Sequence, residues 1–344
     1  MKRVVVICPG RGTYNKPELG SLARLHPDKG ALFEGFDKIR LAEGQESLAA
    51  LDGAARYSIA KHTRGDNAAA LIYAASYADF RSLVDVEVVA VTGNSMGWYS
   101  TLACAGALDA DQGFRLVNTM GQLMQDSLVG GQLVYPICGD DWRIDAARRT
   151  EVMELLHQIN AMPEHQLALS IDLGGMLVLA GNDTGLDAFA AKAKPLDRFP
   201  MRLANHAAFH TVLQEPVSRI AKRRFDPSMF AQPDVAMIDG RGGILWPHAT
   251  DPDALFDYTL GRQVVESYDF TRAIRVAAQE FAPDMFVVLG PGTTLGGAVA
   301  QSLIAANWGG MDSKDSFQRL QADAPLLISM GRDDQRDWVT TDPS

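Results

Sequence analysis

The stretch Glu87-Val-Val-Ala-Val-Thr-Gly93-Asn-Ser-Met-Gly97 decides the fold of this chain. After Glu87, the strand predicted over 87–91 is apolar and mostly β-branched, which is typical of a strand buried on both faces of a parallel sheet. Residues 96–108 have a helical pattern, and a G-x-S-x-G sequence lies between the two. This context favours a nucleophile elbow, because Gly93 and Gly97 lack the Cβ atoms that would collide in a tight turn around Ser95. The alternative is an ordinary serine in a strand-to-helix turn.

The same strand, turn and helix design recurs towards both ends of the chain. Residues 4–8 are an apolar run closed by Pro9-Gly-Arg-Gly12, and residues 285–289 lead through Gly290-Pro-Gly292 into a helical pattern over 294–306. Further helical patterns cover residues 46–61 and 67–83. Strands that alternate with helices predict the α/β class, with a mostly parallel sheet.

The middle of the chain has a different order of elements. Strand patterns cover residues 132–138, 167–172, 176–180 and 200–204, and helical patterns cover 146–160 and 186–193. This β-α-β-β-α-β order predicts a small ferredoxin-like domain over 130–205. It would be inserted into a large, discontinuous domain made of residues 1–129 and 206–310. We expect the polar segment 311–344 to be a fraying tail.

Composition excludes several classes of function. The 344 residues are 47% hydrophobic and carry 32 basic against 42 acidic side chains, so the chain is neither disordered nor suited to nucleic acid. Three cysteines without a Cys-x-x-Cys pair predict a reducing, cytoplasmic location and no zinc site. No segment approaches the ~20 apolar residues of a membrane span. We expect no metal and no permanently bound cofactor.

A serine nucleophile needs a base and donors for an oxyanion. His206 and His210 share the segment 205–211 after the last strand of the insertion, and spacing alone does not choose between them. The backbone N–H of Met96 is the natural first oxyanion donor. The second is predicted at Arg11, because neighbouring parallel strands end at one edge of a sheet. A plain turn or a weak phosphate loop is the alternative for residues 9–12.

Four motifs occur in a fixed order: Pro9-Gly-Arg-Gly12, Gly93-Asn-Ser-Met-Gly-Trp-Tyr-Ser-Thr-Leu-Ala-Cys-Ala-Gly-Ala-Leu108, Ala208-Phe-His-Thr211 and Leu289-Gly-Pro-Gly-Thr-Thr-Leu295. They resemble the P-G-Q-G, G-H-S-x-G-E-Y-x-A-x-x-x-A-G-x-L, A-F-H-S and L/I-G-P-G-x-x-L segments of the malonyl-CoA:acyl carrier protein transacylase family. That family includes the acyltransferase domains of fatty acid and polyketide synthases. The resemblance implies a large α/β-hydrolase-like domain with an inserted ferredoxin-like unit.

The resemblance also implies a mechanism. Ser95 would attack the thioester of an acyl-CoA, with His210 rather than His206 as the general base. The phosphopantetheine thiol of an acyl carrier protein would then take the acyl group. In the family a backbone carbonyl orients the histidine, and aligning Arg262-Gln-Val-Val-Glu266 with its R-Q-L-x-N segment points to Glu266.

Several residues differ from the family pattern at positions that determine which acyl group the pocket accepts. Met120 stands where the malonyl enzymes have the arginine that holds the substrate carboxylate, and Met176 aligns with a family glutamine beside the acyl pocket. Together with Asn94, which replaces a histidine, and Phe209, these residues predict an apolar pocket for acetyl or a longer unbranched acyl group. Ordinary core methionines are the alternative. Arg11, in place of a glutamine, is a less favoured replacement cation.

Other functions stay open on the same residues. Asn94 and Trp98 leave room for a hydrolase that clears acyl groups from carrier proteins, and a malonyl transacylase or a non-catalytic docking relative ranks lower. Lys222, Arg223 and Arg224 form the densest basic cluster, which is a docking site for an acidic carrier protein or a solvated helix end.

Overall fold

The structure, a computed structural model, describes residues 1–340; residues 341–344 of the expected tail lie outside the described residues. Its strands are β1 (Lys2–Cys8), β2 (Val86–Gly93), β3 (Gly131–Pro136), β4 (Leu167–Leu173), β5 (Met176–Gly181), β6 (Met201–Arg202), β7 (Ala236–Ile238), β8 (Ile244–Leu245), β9 (Tyr268–Asp269), β10 (Met285–Val288) and β11 (Leu327–Ser329).

The α-helices are α1 (Ser21–Leu25), α2 (Gly30–Ala42), α3 (Leu48–Asp52), α4 (Ile59–His62), α5 (Gly65–Phe80), α6 (Gly97–Cys104), α7 (Ala110–Asp126), α8 (Ala146–Asn160), α9 (Asp183–Lys192), α10 (Glu215–Arg224), α11 (Pro252–Asp257), α12 (Gln263–Val265), α13 (Phe270–Phe281), α14 (Leu295–Ala305), α15 (Lys314–Asp323) and α16 (Asp333–Thr340). A π-helical turn, Tyr258–Arg262, joins α11 to α12.

The large sheet has the strand order β11-β10-β1-β2-β7-β8. All its neighbours pair in parallel except β7 and β8, which form an antiparallel edge. Side chains of β1 from Val4 to Cys8 are fully buried, because helices cover both faces of the sheet. The prediction of an α/β fold with a mostly parallel sheet is confirmed. The turns after β1, β2 and β10 consequently lie at one edge of this sheet.

The small sheet has the order β6-β3-β5-β4-β9. Strands β6, β3, β5 and β4 are antiparallel neighbours, and α8 and α9 complete the predicted ferredoxin-like order. This unit has a core of its own, which includes Leu133, Leu179 and Phe189. Strand β9 adds a parallel edge to β4 and comes from outside the predicted range 130–205.

Two predicted segments differ from the structure. The helix expected over 46–61 is divided into α3 and α4, because α3 ends at Asp52, before Gly53, and the chain turns before α4 begins at Ile59. The fraying tail is wrong for residues 314–340: β11 pairs with β10, and the Arg336 guanidinium on α16 bonds the buried Asp79 carboxylate. Strand β11 is only three residues long and follows a proline, so its apolar pattern is too short to be identified as a strand from sequence.

Across residues 1–340, no helix combines the length and the apolar character that crossing a membrane would require.

Candidate active site

The turn between β2 and α6 holds Ser95 in a left-handed backbone conformation, with φ of 54°. Such a φ is strained for a residue other than glycine and is typical of functional sites. A Cβ on Gly97 would lie 2.2 Å from the Cys8 carbonyl oxygen, so only glycine lets this turn approach the end of β1. The Asn94 amide donates to the same Cys8 oxygen at 3.0 Å. The predicted nucleophile elbow is therefore present in the backbone.

Ser95 and His210 are in direct contact, with 2.7 Å between Ser95 Oγ and His210 Nε2. The other ring nitrogen, Nδ1, lies 2.7 Å from the backbone carbonyl oxygen of Gln263. A carbonyl oxygen only accepts, so Nδ1 carries the proton and Nε2 presents its lone pair to the serine hydroxyl. This is the tautomer that a general base requires.

Burial keeps the imidazole of His210 neutral. The ring is 5% exposed, and this burial lowers the pKa of His210 to about 4, against a smaller opposing effect of the bond to Gln263. His206 does not contact the serine: its Nδ1 lies 2.7 Å from Gln132 Oε1, and burial, assisted by the charge of Arg11, lowers its pKa well below the usual range. The geometry selects His210 as the partner of Ser95.

The residue that orients the histidine is Gln263 and not Glu266. Glu266 extends into solvent, with its carboxylate 3.8 Å from Arg262. Gln263 is the first residue of α12, and its carbonyl, three residues before Glu266, faces His210. The aligned R-Q-L-x-N segment contains this glutamine, but an alignment does not show which of the segment's carbonyls faces the histidine.

Gln263 also contacts the nucleophile turn through its side chain. Its amide nitrogen donates to the Ser95 carbonyl oxygen at 3.0 Å, and its amide oxygen accepts from the Tyr99 hydroxyl at 3.2 Å. Sequence reasoning missed both Gln263 and Tyr99 as parts of the site. One residue thus bonds His210 through its backbone and the Ser95 turn through its side chain.

Two backbone amides beside the dyad are available to an oxyanion. Arg11 and Met96 both line the cleft that contains Ser95 and His210. Within the part of the chain that the structure describes, neither amide bonds an acceptor. Helix α6 begins at the next residue, Gly97, and its positive end adds to the field at this point. This arrangement fits the predicted oxyanion donors.

The structure brings some predicted pocket residues to the cleft and leaves others outside it. Met120 and Phe209 line the cleft, and Met120 is only 1% exposed. Met176 does not: it begins β5, where it pairs with Pro136 and Leu173. Asn94 is buried under the turn, and Trp98 lies in the core with its indole N–H donating to Thr259 Oγ1 at 3.0 Å.

The Arg11 side chain lies across the cleft. Its Nη2 donates to the carbonyl oxygens of Thr63 at 2.8 Å and Asn205 at 2.9 Å, and its guanidinium carbon is 5.4 Å from the centre of the Phe209 ring. Burial lowers the pKa of Arg11 to about 10, partly opposed by Asp66, so the group remains a cation at neutral pH. The oxyanion turn and the segment that carries His210 are thereby joined.

The basic cluster predicted from the sequence lies at the end of a helix, away from Ser95 in the chain. Lys222, Arg223 and Arg224 form the last turn of α10, where the Lys222 ammonium pairs with Asp257 at 2.6 Å. Among residues 1–340, no three His, Cys, Asp or Glu side chains are grouped so as to hold a metal ion.

Comparisons with known proteins agree with the motifs. No protein-family model matches the chain. The malonyl CoA-acyl carrier protein transacylase of Haemophilus influenzae is 24% identical over 305 residues, which cover 86% of this chain and 91% of that protein. The solved malonyl-CoA:ACP transacylase of Synechocystis sp. PCC 6803 superposes with a TM-score of 0.74 at 18% identity, over 98% of this chain and all of the other.

A second structure contains a partner. The malonyl-transacylase solved in complex with its type II polyketide synthase acyl carrier protein has a TM-score of 0.69 and 21% identity, over 88% of this chain and 93% of the other. The expected resemblance is confirmed: sequence relatives and structural neighbours are transacylases of this kind, and the fold is theirs.

Proposed function

We propose that this chain transfers an acyl group from an acyl-CoA to the phosphopantetheine thiol of an acyl carrier protein, through an ester on Ser95. The observation that carries the proposal is the 2.7 Å contact between Ser95 Oγ and the neutral, oriented imidazole of His210. The names of the relatives, and the neighbour solved with a carrier protein, support the same chemistry.

The two half-reactions use the same pair of residues. Ser95 Oγ attacks the thioester carbonyl while His210 Nε2 takes the hydroxyl proton, and the amides of Arg11 and Met96 bond the oxyanion. The carbon–sulfur bond then breaks, and His210 returns the proton to the departing CoA sulfur. In the second half the carrier thiol gives its proton to His210 and its sulfur attacks the ester carbonyl. The bond from the carbonyl carbon to Ser95 Oγ then breaks, and His210 returns the proton to Oγ, which restores the Ser95 hydroxyl.

The acyl group that we propose is acetyl or a longer, largely apolar chain rather than malonyl. Met120 lines the cleft at the position aligned with the family's carboxylate-binding arginine, and it offers no hydrogen bond. A carboxylate buried without its partner costs about 3–5 kcal/mol, equivalent to a hundredfold or more in binding. We expect acetyl-CoA to acylate the enzyme faster than malonyl-CoA, and Met120→Arg to shift the preference towards malonyl by about a hundredfold. Efficient malonyl loading of the unaltered chain would refute the argument.

The basic end of α10 is the site that we propose for carrier-protein docking. Arg223 and Arg224 add positive charge to Lys222 in a chain that is otherwise acidic. Reversing the charge at Arg223 and Arg224 should slow acyl discharge onto the carrier at low salt and leave acylation by acyl-CoA unchanged. An unchanged discharge rate would move the docking site elsewhere.

The central experiment follows a preformed acyl-enzyme by intact-mass spectrometry, with and without carrier protein. The proposal predicts an adduct that persists in buffer and is lost when the carrier thiol is added. Rapid loss in buffer alone would identify a thioester hydrolase, and failure to form any adduct would leave a non-catalytic docking protein.

A further inference from the structure

The cleft beside Ser95 has two chemically different walls. Met120 and Met124 of α7 form an apolar wall, and Arg11 forms a cationic one on the turn after β1. The same residue, Arg11, also supplies one of the two free amides at the reaction centre. The guanidinium is therefore a charged group on the same turn that supplies this amide.

The hydrogen bonds of Arg11 are incomplete. Nη2 uses both of its hydrogens, on Thr63 and Asn205. The Nε atom is buried without a partner, and no acceptor among residues 1–340 bonds Nη1. The Nε–H is closed off inside the protein, so Nη1 is the donor that remains for a ligand oxygen, and a hydrogen bond to this charged group adds affinity.

No carboxylate of the protein neutralises this cation within the described residues. Asp66 is the acidic side chain whose charge acts on Arg11, and that carboxylate is bound by Arg64 Nε at 3.1 Å. The stacking of the guanidinium on Phe209 and its two carbonyl contacts hold it in place without cancelling its charge. A positive group thus faces a cleft whose opposite wall is apolar.

The bonds already made decide which oxygen fits. A guanidinium clamps a carboxylate through two parallel N–H groups, taken from Nη1 with Nη2 or from Nε with Nη2. Both pairs include Nη2, whose hydrogens are occupied, so Arg11 offers single N–H groups only. Both oxygens of a carboxylate need partners, and Arg11 can bond only one of them beside an apolar wall, whereas a keto or hydroxyl group presents a single oxygen.

We infer that Arg11 selects acyl groups that carry a keto or hydroxyl oxygen close to the thioester, with the apolar remainder against Met120 and Met124. This inference rests on the proposed function and narrows the acyl chain proposed there. A site that bonds a substrate oxygen discriminates against the analogue that lacks it, because an acyl group without that oxygen covers the charged Nη1 donor and leaves it unpaired.

The test compares acylation of the full chain by butyryl-CoA, 3-hydroxybutyryl-CoA, acetoacetyl-CoA and malonyl-CoA, measured as second-order rate constants by quenched intact-mass analysis. We expect the rate constant for 3-hydroxybutyryl-CoA and for acetoacetyl-CoA to exceed that for butyryl-CoA by about tenfold or more. This factor corresponds to the free energy of one hydrogen bond to a charged donor. In Arg11→Met this ratio should fall to about one. The ratio within one variant is independent of how much of that protein is folded.

Arg262→Met is the matched control, because Arg262 is an exposed arginine next to Gln263 that does not line the cleft. It should keep the unaltered ratio. The inference is overturned if the unaltered chain acylates no faster with the oxygenated groups than with butyryl. It is also overturned if their advantage survives in Arg11→Met or is lost in Arg262→Met. Malonyl faster than every other group would identify a carboxylate as the ligand and overturn it too. If no acyl-CoA labels Ser95, the proposed function itself fails and the inference with it.

Discussion

Ser95 and His210 touch at 2.7 Å, but the chain positions these two residues in different ways. Ser95 depends on a contiguous strand, turn and helix, with Gly97 packed against the end of β1. His210 lies on an irregular segment after β6 and takes its orientation from Gln263, 53 residues further along the chain. The turn of Ser95 is therefore recognisable in contiguous sequence, although it also packs on β1, whereas the orientation of His210 depends on a residue distant in sequence.

The largest expected effect comes from removing the base while the elbow stays intact. His210→Ala should slow acyl-enzyme formation by about a thousandfold, because general-base assistance is worth 10²–10⁴. Single-turnover acylation by acetyl-CoA measures this loss. His206→Ala is the matched control and should change the rate by less than about threefold, since His206 bonds Gln132 instead of Ser95. Equal losses in the two variants would contradict the assignment.

The elbow can be altered without touching either catalytic side chain. Gly97→Ala should slow acylation by about a hundredfold, because its Cβ would force the turn away from Cys8 and misplace Ser95 by a fraction of an ångström or more. It should also lower the free energy of unfolding by about 2 kcal/mol. Gly296→Ala, where an added Cβ meets nothing within 4 Å, is the control and should be neutral or slightly stabilising in denaturant unfolding. Similar behaviour of the two variants would refute the close approach.

The dependence of acylation on pH tests the environment of the base. His210 must be neutral to accept the Ser95 proton, and burial lowers the pKa of His210 to about 4. The acylation rate constant should therefore be flat from pH 8 down through the ordinary histidine pKa of about 6.5, and fall about tenfold per unit only below pH 4. Burst-phase acylation at constant ionic strength gives this profile. An inflection near 6.5 would show that the ring is solvated.

The smallest expected effect comes from the side chain of Gln263, the residue that contacts both His210 and the turn of Ser95. Gln263→Leu keeps the carbonyl that bonds His210 and removes the amide bond to the Ser95 carbonyl. We expect about a fivefold slower acylation, equivalent to ~1 kcal/mol for one hydrogen bond, with an unchanged pH midpoint. Tyr99→Phe, which removes only the outer partner of Gln263, should have a smaller effect. A shifted midpoint in Gln263→Leu would mean that the backbone carbonyl moves as well.

The same contrast explains which features could be predicted from the sequence. The fold, the elbow at Ser95 and the amides of Arg11 and Met96 follow from short apolar runs and glycine turns, which are local patterns. His210 was separated from His206 only by resemblance to a family, because both lie in one irregular segment. Glu266 is predicted in place of Gln263 because an aligned segment does not show which of its backbone carbonyls faces the imidazole.

The sequence also does not show which side chains from separate helices and strands meet at the cleft. Met120 lines the cleft because α7 packs beside α6 and α5, whereas Met176 occupies the first position of β5 and points to other neighbours. A flexible apolar residue carries no signal that distinguishes a pocket wall from a strand end. Strand β11 was missed for a related reason, because its stability comes from pairing with β10 and not from its own three residues.

The most direct measurement locates the covalent adduct after the full chain is mixed with acyl-CoA. Intact-mass spectrometry followed by peptide fragmentation should find one acyl group, on Ser95, and none on the Ser95→Ala variant. An adduct on another residue, or equal labelling of Ser95→Ala, would contradict the claim that the hydroxyl at position 95 carries the acyl group.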